Sequence, residues 1–155
     1  MTARDNDADE TPLELRSPHT PDEWDRYFEL RWRVLRAPWG QPRGSERDSA
    51  EGSAFHLLLL DPAGKAVACG RLHLNNPGEA QVRYMAVDEH ARGRGYGGRI
   101  LKALEAEARR RKARKIVLNA RENVVQFYLR HDYAVTGQAE TLFGVIRHWR
   151  MEKVL

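Results

Sequence analysis

The sequence contains a single cysteine, Cys69, and no hydrophobic run long enough to cross a membrane. One cysteine excludes a disulfide framework, and no spacing of Cys and His is typical of a zinc site, so we expect no metal. The longest apolar run, residues 55–60, is interrupted by His56, whereas a transmembrane helix needs about 20 residues. The first residues are acidic and polar, unlike a signal peptide. We therefore expect a cytoplasmic protein that does not bind membranes.

Charge is abundant: 31% of the 155 residues are charged, and the net charge is +4. This length is typical of one domain that buries its own core. The positive charge leaves open a nucleic-acid partner or a polyanionic cofactor. Residues 1–12 combine acidic side chains with no apolar periodicity and predict a disordered acidic tail. Residues 13–155 then form a single domain.

Residues 81–103 predict a strand, a glycine-rich loop and a helix in succession. The strand, residues 81–87, is rich in β-branched and aromatic side chains. The loop from Arg92 to Gly98 contains four glycines in seven residues, and a helical pattern follows at once. Free backbone N–H groups and the positive end of a helix dipole bind anions, and Arg92 and Arg94 add positive charge. The segment therefore indicates a phosphate or pyrophosphate site.

Two common phosphate motifs do not account for this loop. A P-loop requires Lys and then Ser or Thr after its last glycine, but Gly98 is followed by Arg-Ile. The dinucleotide motif G-x-G-x-x-G fits residues 93–98, yet no acidic residue closes a strand about 20 residues later to bind a ribose. The loop therefore favours another phosphate-bearing ligand.

Three segments in the same order resemble the GNAT superfamily of N-acyltransferases. The pattern Arg92-x-x-Gly95-x-Gly97 resembles its acyl-CoA pyrophosphate loop, and residues 84–88 resemble the strand before that loop. Residues 127–133, FYLRHDY, resemble its F/L-Y-x-x-x-G-F segment, and residues 144–153 resemble the ending of the small bacterial branch named for ElaA. The resemblance extends from about Leu13 to the C-terminus. It implies an acetyl-CoA-dependent N-acetyltransferase acting on a small-molecule or peptide amine in a ternary complex, and leaves a homodimer open.

The resemblance also implies how acetyl-CoA is held. The loop N–H groups would bind the pyrophosphate, and the preceding strand would pair with the pantetheine arm, in a gap between the strands of Gln81 and Ile116. Family members often carry Asn seven residues before the tyrosine, but Arg121 occupies that position here. The implied cofactor-binding residues are Met85, Ala86, Val87, Arg92, Gly93, Arg94, Gly95, Tyr96, Gly97, Gly98 and Tyr128.

Tyr128 is the implied general acid for the leaving thiolate. A thiol has a pKa of about 8.5 and a phenol of about 10, so this proton transfer is only slightly uphill. The hydroxyl could instead act only as a hydrogen-bond donor to sulfur. Cys69 lies in a predicted strand and is expected in the core, so we expect no covalent acyl intermediate.

The general base is the least determined element. An alkylamine is protonated at neutral pH and must lose a proton to a side chain or through water. In the histone acetyltransferase branch a Glu does this, but the matching position here is Gln81, which cannot accept a proton. His148 and Glu79 are the leading candidates, His73 and Glu140 are others, and ordered water is the alternative.

Gln81, Arg83 and Met85 stand at every second position of the predicted strand, so their side chains should point to the same face of the sheet. Arg83 is therefore expected to face the acceptor. With Arg71 and Arg31 it predicts a carboxylate-bearing acceptor, an inference that fails if Arg83 is paired with an internal carboxylate. Trp39 lies in the Pro- and Gly-rich segment 37–52 and packs either on a substrate or on the core. The candidate substrate-binding residues are Arg83, Gln81, Arg31, Trp39 and His73.

The overall pattern predicts an α+β fold with a mixed, mostly antiparallel sheet of six to seven strands and helices on both faces. The predicted order is a strand, two helices, three strands, a helix, a strand, a helix and two strands. Two other functions stay open. One is a non-catalytic acyl-CoA-binding sensor, and the other is a nucleic-acid-binding module that uses the basic run Arg109–Lys115, although a helix C-terminus also favours cations.

Overall fold

The computed structural model of the protein describes residues 12–155. The predicted disordered tail, residues 1–12, lies outside the described residues except for its last position. Within residues 12–155, no helix has both the length and the apolar character needed to cross a membrane.

The described chain folds into one seven-stranded sheet with helices on both faces, which confirms the predicted α+β class. The sheet order is β1-β2-β3-β4-β5-β7-β6, and only β4 and β5 pair in parallel. The strands are β1 (Glu14–Arg16), β2 (Phe55–Leu60), β3 (Ala66–Asn76), β4 (Glu79–Val87), β5 (Lys115–Arg121), β6 (Ala134–Leu142) and β7 (Ile146–Val154). The α-helices are α1 (Pro21–Leu35), α2 (Tyr96–Arg110) and α3 (Val125–Arg130).

Helix α1 begins at Pro21, directly after its N-cap residue Thr20. The Thr20 hydroxyl accepts a hydrogen bond from the Glu23 amide at 3.2 Å, and the Glu23 carboxylate accepts one from the Thr20 amide at 3.3 Å. Pro21 occupies the first helical position, where its missing N–H is not needed. These reciprocal bonds form a capping box.

The second helix predicted after α1 is absent from the described chain. Two single 3₁₀ turns, Ala37–Trp39 and Glu51–Ser53, occupy the segment between α1 and β2. Prolines, glycines and serines are frequent there and favour turns over a sustained helix. The segment is instead fixed by ion pairs to the sheet, described below.

The two faces of the sheet are covered unequally. Helices α2 and α3 cover one face over a large apolar core, which includes Leu72, Val82, Ile100, Leu104, Leu118 and Met151. Helix α1 packs on β3 and β4 on the opposite face, over a smaller core that includes Tyr27, Phe28, Leu58, Cys69 and Ala86. Asn119, in the middle of β5, is exposed. The α1 face of the sheet is therefore open beyond β4.

Strand β4 contains a β-bulge at its centre. Arg83 pairs with Arg71 and Ala86 pairs with Cys69, so two residues, Tyr84 and Met85, lie opposite one. Tyr84 has a φ of 56°, which is unusual for a non-glycine residue. The extra residue reverses the side-chain alternation after this point.

Because of this bulge, the prediction that Met85 shares a face with Gln81 and Arg83 is wrong. The Met85 side chain packs with the α2-side core rather than on the face of Gln81 and Arg83. A Cβ built on Gly70 would lie 2.9 Å from the Met85 Sδ and 2.7 Å from Ile100 Cγ2. Gly70 therefore allows α2 to lie close to the sheet beside the bulge.

Strands β4 and β5 pair only at their beginnings. The ladder runs from Glu79–Lys115 to Gln81–Val117 and then stops, while β4 continues to Val87 and β5 to Arg121. This is where the family resemblance implies the gap for the pantetheine arm. The hairpin of β6 and β7 turns at Phe143 and Gly144, with φ of 53° and 71°, and residues 140–142 belong to β6.

Candidate functional site

The glycine loop ends in an open helix N-terminus. Gly93 and Gly95 each have a φ of 79°, and an added Cβ at either would meet no atom within 4 Å. Gly95 is the N-cap of α2 and offers no side-chain hydrogen bond to the first N–H groups. Arg92 and Arg94 on either side are exposed. Unpaired N–H groups, the helix dipole and two arginines suit this loop to bind a phosphate group.

Gly97 and Gly98 also face α3, whatever their N–H groups bind. A Cβ at Gly97 would lie 3.4 Å from the Phe127 ring, and one at Gly98 would lie 3.2 Å from the His131 ring. These two glycines therefore allow the start of α2 to pack closely against α3. The sequence assigned all four loop glycines to the cofactor.

Tyr128 lies in α3 against the core and is 6% exposed. Its hydroxyl has no hydrogen-bond partner within residues 12–155, whereas the hydroxyl of its neighbour Tyr133 donates to Glu105 Oε2 at 2.9 Å. Burial raises the pKa of Tyr128 above its ordinary value. The phenol therefore stays protonated and can donate a hydrogen bond to a ligand.

The bulge residue Tyr84 lies among four arginines. Its ring centroid is 4.3 Å from the Arg31 Cζ, 4.9 Å from that of Arg71 and 4.8 Å from that of Arg83. The Arg36 Cζ is 5.6 Å from the same ring. Four guanidinium groups therefore surround one aromatic side chain.

Three of these arginines are paired with carboxylates from the segment between α1 and β2. Asp48 lies 2.6 Å from Arg71 and 3.0 Å from Arg83, and Glu51 lies 2.9 Å from both Arg31 and Arg71. The Arg71 guanidinium is the main reason that the pKa of Asp48 lies below its usual range. The three arginines that predicted a carboxylate-bearing acceptor thus bind carboxylates of the chain itself. That argument does not hold for these arginines.

Glu79 and His73 belong to a polar network at the paired start of β4. The Asn75 side-chain amide donates to Glu79 at 2.9 Å and to Gln81 at 3.0 Å, and Lys115 lies 3.4 Å from Glu79. The Asn75 hydrogen bond is the largest cause that lowers the pKa of Glu79. Burial, with the nearby arginines, lowers that of His73. Glu79 is therefore a well-stabilised carboxylate and a weak base.

His148 lies on β7 opposite Arg121 at the open end of β5. Its Nδ1 is 3.0 Å from the Ile146 carbonyl oxygen, which can only accept, so Nδ1 carries the proton. In this neutral tautomer Nε2 is the unprotonated nitrogen, and the ring also lies close to the backbone of Glu140. Burial lowers the pKa of His148, which favours this neutral form at neutral pH.

Trp39 packs on Arg121, with the ring centroid 4.6 Å from the guanidinium carbon, and is 37% exposed. Neither predicted alternative describes this position fully. The ring lies beside the open end of β5 and keeps one part free. It can therefore line a site without being buried in the core.

The basic run Arg109–Lys115 is partly neutralised. Arg110 and Arg111 bind Glu107, and Lys115 lies near Glu79 and Glu152. The remaining cations extend the C-terminal end of α2, where the helix dipole favours them. This pattern matches a helix end better than a nucleic-acid surface.

Several residues of the site were absent from the sequence-based candidates. The Arg36 guanidinium brings Tyr84 and Phe143 together, although the three residues belong to β4, the end of α1 and the β6–β7 turn. Only the Phe143-Gly144 turn had a local signal, since Gly favours a positive φ. Asp48 was not recognised because its partners are 23 and 35 residues away along the chain.

Comparison with known proteins agrees with this geometry. The model of the acetyltransferase (GNAT) family matches residues 24–133. The uncharacterized N-acetyltransferase YjcF of Bacillus subtilis is 32% identical over 126 residues, covering 81% of this chain and 89% of that protein.

Solved structures share the fold at low sequence identity. Escherichia coli ElaA superposes with a TM-score of 0.75 at 17% identity, covering 92% of this chain and 98% of its own. An aminoglycoside 6′-N-acetyltransferase complexed with coenzyme A also gives a TM-score of 0.75, at 15% identity, with 92% and 96% covered.

Proposed function

Because the chain belongs to the GNAT family of acetyltransferases, we propose that it transfers the acetyl group of acetyl-CoA to a primary amine in a ternary complex. The supporting observation is a pair of adjacent features. Strands β4 and β5 separate after Gln81 and Val117, and β4 leads directly into the open N-terminus of α2. The opening between the two strands suits the extended pantetheine arm, and the helix N-terminus suits the pyrophosphate.

The chain offers the groups that acetyl-CoA needs. The loop from Arg92 to Gly98 would hold the pyrophosphate through backbone N–H groups, and the backbone around Met85, Ala86 and Val87 would pair with the pantetheine arm. When bound, acetyl-CoA supplies the acetyl group as a thioester. The side chains of Met85 and Val87 pack into the α2-side core, which supports a role for their backbone rather than their side chains.

Tyr128 is the residue that we assign to the leaving sulfur. Its hydroxyl is a protonated donor with no partner within the described chain. The raised pKa makes full proton transfer less favourable and favours hydrogen-bond donation that strengthens as negative charge develops on sulfur. The sequence left open whether Tyr128 is a general acid or only a hydrogen-bond donor to sulfur. We propose a hydrogen-bond donor whose proton moves only part of the way to the sulfur.

His148 is the base that we favour over Glu79. With the proton on Nδ1, Nε2 is the nitrogen that would accept the amine proton, and the lowered pKa of His148 keeps the ring neutral at neutral pH. Glu79 is occupied by Asn75 and Lys115. As the amine forms its bond to the acetyl carbon and the carbon–sulfur bond breaks, the amine proton passes to His148, directly or through water.

A covalent acetyl-enzyme is not part of this proposal. Cys69 is fully buried, and burial raises the pKa of its thiol to about 11. A buried neutral thiol is a poor nucleophile. Direct attack by the amine is the simpler route.

The experiment is a two-substrate steady-state study with a panel of primary amines, following release of the coenzyme A thiol. Direct transfer predicts intersecting double-reciprocal lines and no acetylated protein by mass spectrometry after incubation with acetyl-CoA alone. Parallel lines together with a stable acetyl-enzyme would reject the ternary complex. Tight binding of acetyl-CoA without turnover on any amine would favour a non-catalytic sensor.

A further inference from the structure

Two arginines on the acceptor side have no carboxylate partner within residues 12–155. Arg36 is 8% exposed and Arg121 is half-buried. Their guanidinium groups donate to backbone carbonyl oxygens, and Arg36 also contacts the Tyr84 side chain, but neither meets a carboxylate of the described chain. The two other buried arginines, Arg31 and Arg71, are both paired with carboxylates. Buried cations are normally paired, so this pair stands apart.

Both guanidinium groups converge on one oxygen. The carbonyl of Leu35, the last residue of α1, accepts from Arg121 Nη2 at 2.7 Å and from Arg36 Nη1 at 3.2 Å. The C-terminal end of a helix dipole carries roughly half a negative charge, which offsets only part of two full positive charges. Burial and the nearby Arg36 lower the pKa of Arg121 to about 10. The pair therefore retains an excess of positive charge that a bound anion would stabilise.

Aromatic rings border the same position. The Trp39 ring lies 4.6 Å from the Arg121 Cζ, and the rings of Tyr84 and Phe143 each lie 5.6 Å from the Arg36 Cζ. These rings come from the segment after α1, the β4 bulge and the β6–β7 turn. They limit water access on several sides, which strengthens charge interactions at the pair.

The pair also lies beside the proposed reaction centre. Arg121 is the last residue of β5, and its cross-strand neighbour on the same face is His148. Val117 lies four residues before Arg121 and faces the same side of the sheet. It pairs with Gln81 at the point where β4 and β5 separate. An anion held by Arg121 would therefore leave the other end of a short molecule near His148 and the opening.

We propose that the acceptor is a small amine that also carries a carboxylate or phosphate group, and that Arg36 and Arg121 bind this group. The inference rests on the proposed acetyl transfer, whose acceptor class it specifies. It assigns the anion to Arg36 and Arg121 instead of Arg83, Arg71 and Arg31, which already bind Asp48 and Glu51. Arg36 and Arg121 are positioning residues, since they fix the amine relative to the base without exchanging a proton.

The test compares matched amines that differ in the anionic group. Calorimetric titrations of coenzyme A-saturated protein would use 5-aminopentanoate against pentylamine, and O-phosphoethanolamine against ethanolamine. We expect an anionic amine to bind at least about tenfold more tightly than its neutral counterpart, because a charge-assisted pair is worth that much. The two pairs of probes separate a carboxylate preference from a phosphate preference.

Variants assign the preference to the site. Arg121→Gln should abolish the preference, and Arg121→Lys should keep part of it, because lysine retains the charge but not the two-pronged geometry. Arg114→Gln is the matched control, since Arg114 is exposed and lies just before the opposite end of β5. It should keep the full preference. Arg121→Lys also serves as the test if the Gln variant does not fold.

Other outcomes would overturn the inference. Equal binding of the anionic and neutral amines, no binding of either at millimolar concentration, or an unchanged preference in Arg121→Gln would each do so. A loss of acetyl-CoA affinity in Arg121→Gln with the preference intact would assign the pair to the cofactor instead. Failure of the unmodified protein to bind acetyl-CoA at all would reject the proposed function itself, which is a separate result.

Discussion

The guanidinium of Arg71 and the carboxylate of Asp48 form a two-pronged ion pair, with Nη1–Oδ1 at 2.6 Å and Nη2–Oδ2 at 3.0 Å. The Arg71 side chain is fully buried in β3, and Asp48 lies in the segment between α1 and β2. This pair fixes that segment over the face of the sheet that α1 covers. Glu51 binds the same guanidinium at 2.9 Å and adds a second ion pair.

Replacing Asp48 tests the ion pair with Arg71. We expect Asp48→Asn to lower the free energy of unfolding by about 2–3 kcal/mol, because a buried guanidinium loses its bidentate partner while Glu51 remains. Asp22→Asn is the matched control, since Asp22 forms an exposed pair with Arg26. The control should change stability by less than about 0.5 kcal/mol. Equal losses in urea unfolding of the two variants would contradict the structural role of Asp48.

The same ion pair predicts a dependence of stability on pH. The pKa of Asp48 in the folded protein is below its unfolded value of about 3.9, chiefly because of Arg71. The unfolded chain therefore binds the proton more readily, so the contribution is present above about pH 4 and is lost as the pH falls toward the folded pKa. Urea unfolding from about pH 6 to about pH 3 should show the difference between wild type and Asp48→Asn shrinking. A difference that stays constant or grows on acidification would refute this assignment.

Gly70 is predicted to be required for packing. A Cβ there would lie 2.7 Å from Ile100 Cγ2, 2.9 Å from Met85 Sδ and 3.0 Å from Leu104 Cδ1. All three atoms belong to side chains that can shift, so we expect Gly70→Ala to cost about 1–3 kcal/mol by overpacking. Gly137→Ala, where no atom lies within 4 Å, should be nearly neutral. Thermal unfolding of the two variants checks this contrast, and a neutral Gly70→Ala would contradict the close approach of α2.

Tyr128 is predicted to act in catalysis rather than in cofactor binding. We expect Tyr128→Phe to lower kcat by about 10²-fold with little change in acetyl-CoA affinity, because only the donor to the leaving sulfur is lost. Tyr133→Phe is the matched control, since the Tyr133 hydroxyl is occupied by Glu105. The control should lose about 1 kcal/mol of stability and keep its kcat. Unchanged turnover in Tyr128→Phe would remove Tyr128 from the mechanism.

Local patterns in the sequence predicted much of the fold. The strand at residues 81–87, the glycine loop and the helix after it depend on neighbouring residues, so these elements begin close to their predicted positions. The bulge had no such signal. Tyr84 carries a positive φ that its own side chain disfavours, and only the surrounding sheet and arginines hold it there.

The side-chain contacts on the α1 face of the sheet were less predictable for a related reason. The ion pair of Arg71 and Asp48 and the contact of Arg121 with Leu35 join residues 23 and 86 positions apart. Charged side chains at such separations carry no periodic pattern that indicates their partners. The parity rule placed Arg83 on the correct face but misplaced Met85, because the bulge lies between them.

The most direct test of the central claim is calorimetric titration of the protein with acetyl-CoA, repeated with Gly95→Val and Gly44→Val. Both glycines have a positive φ, 79° and 100°, and no atom lies within 4 Å of an added Cβ, so the two variants carry similar strain. Only Gly95 lies at the start of α2. We predict saturable micromolar binding that falls at least about tenfold in Gly95→Val and persists in Gly44→Val. No binding to the unmodified protein, or an equal loss in both variants, would contradict the assignment of the loop to acetyl-CoA.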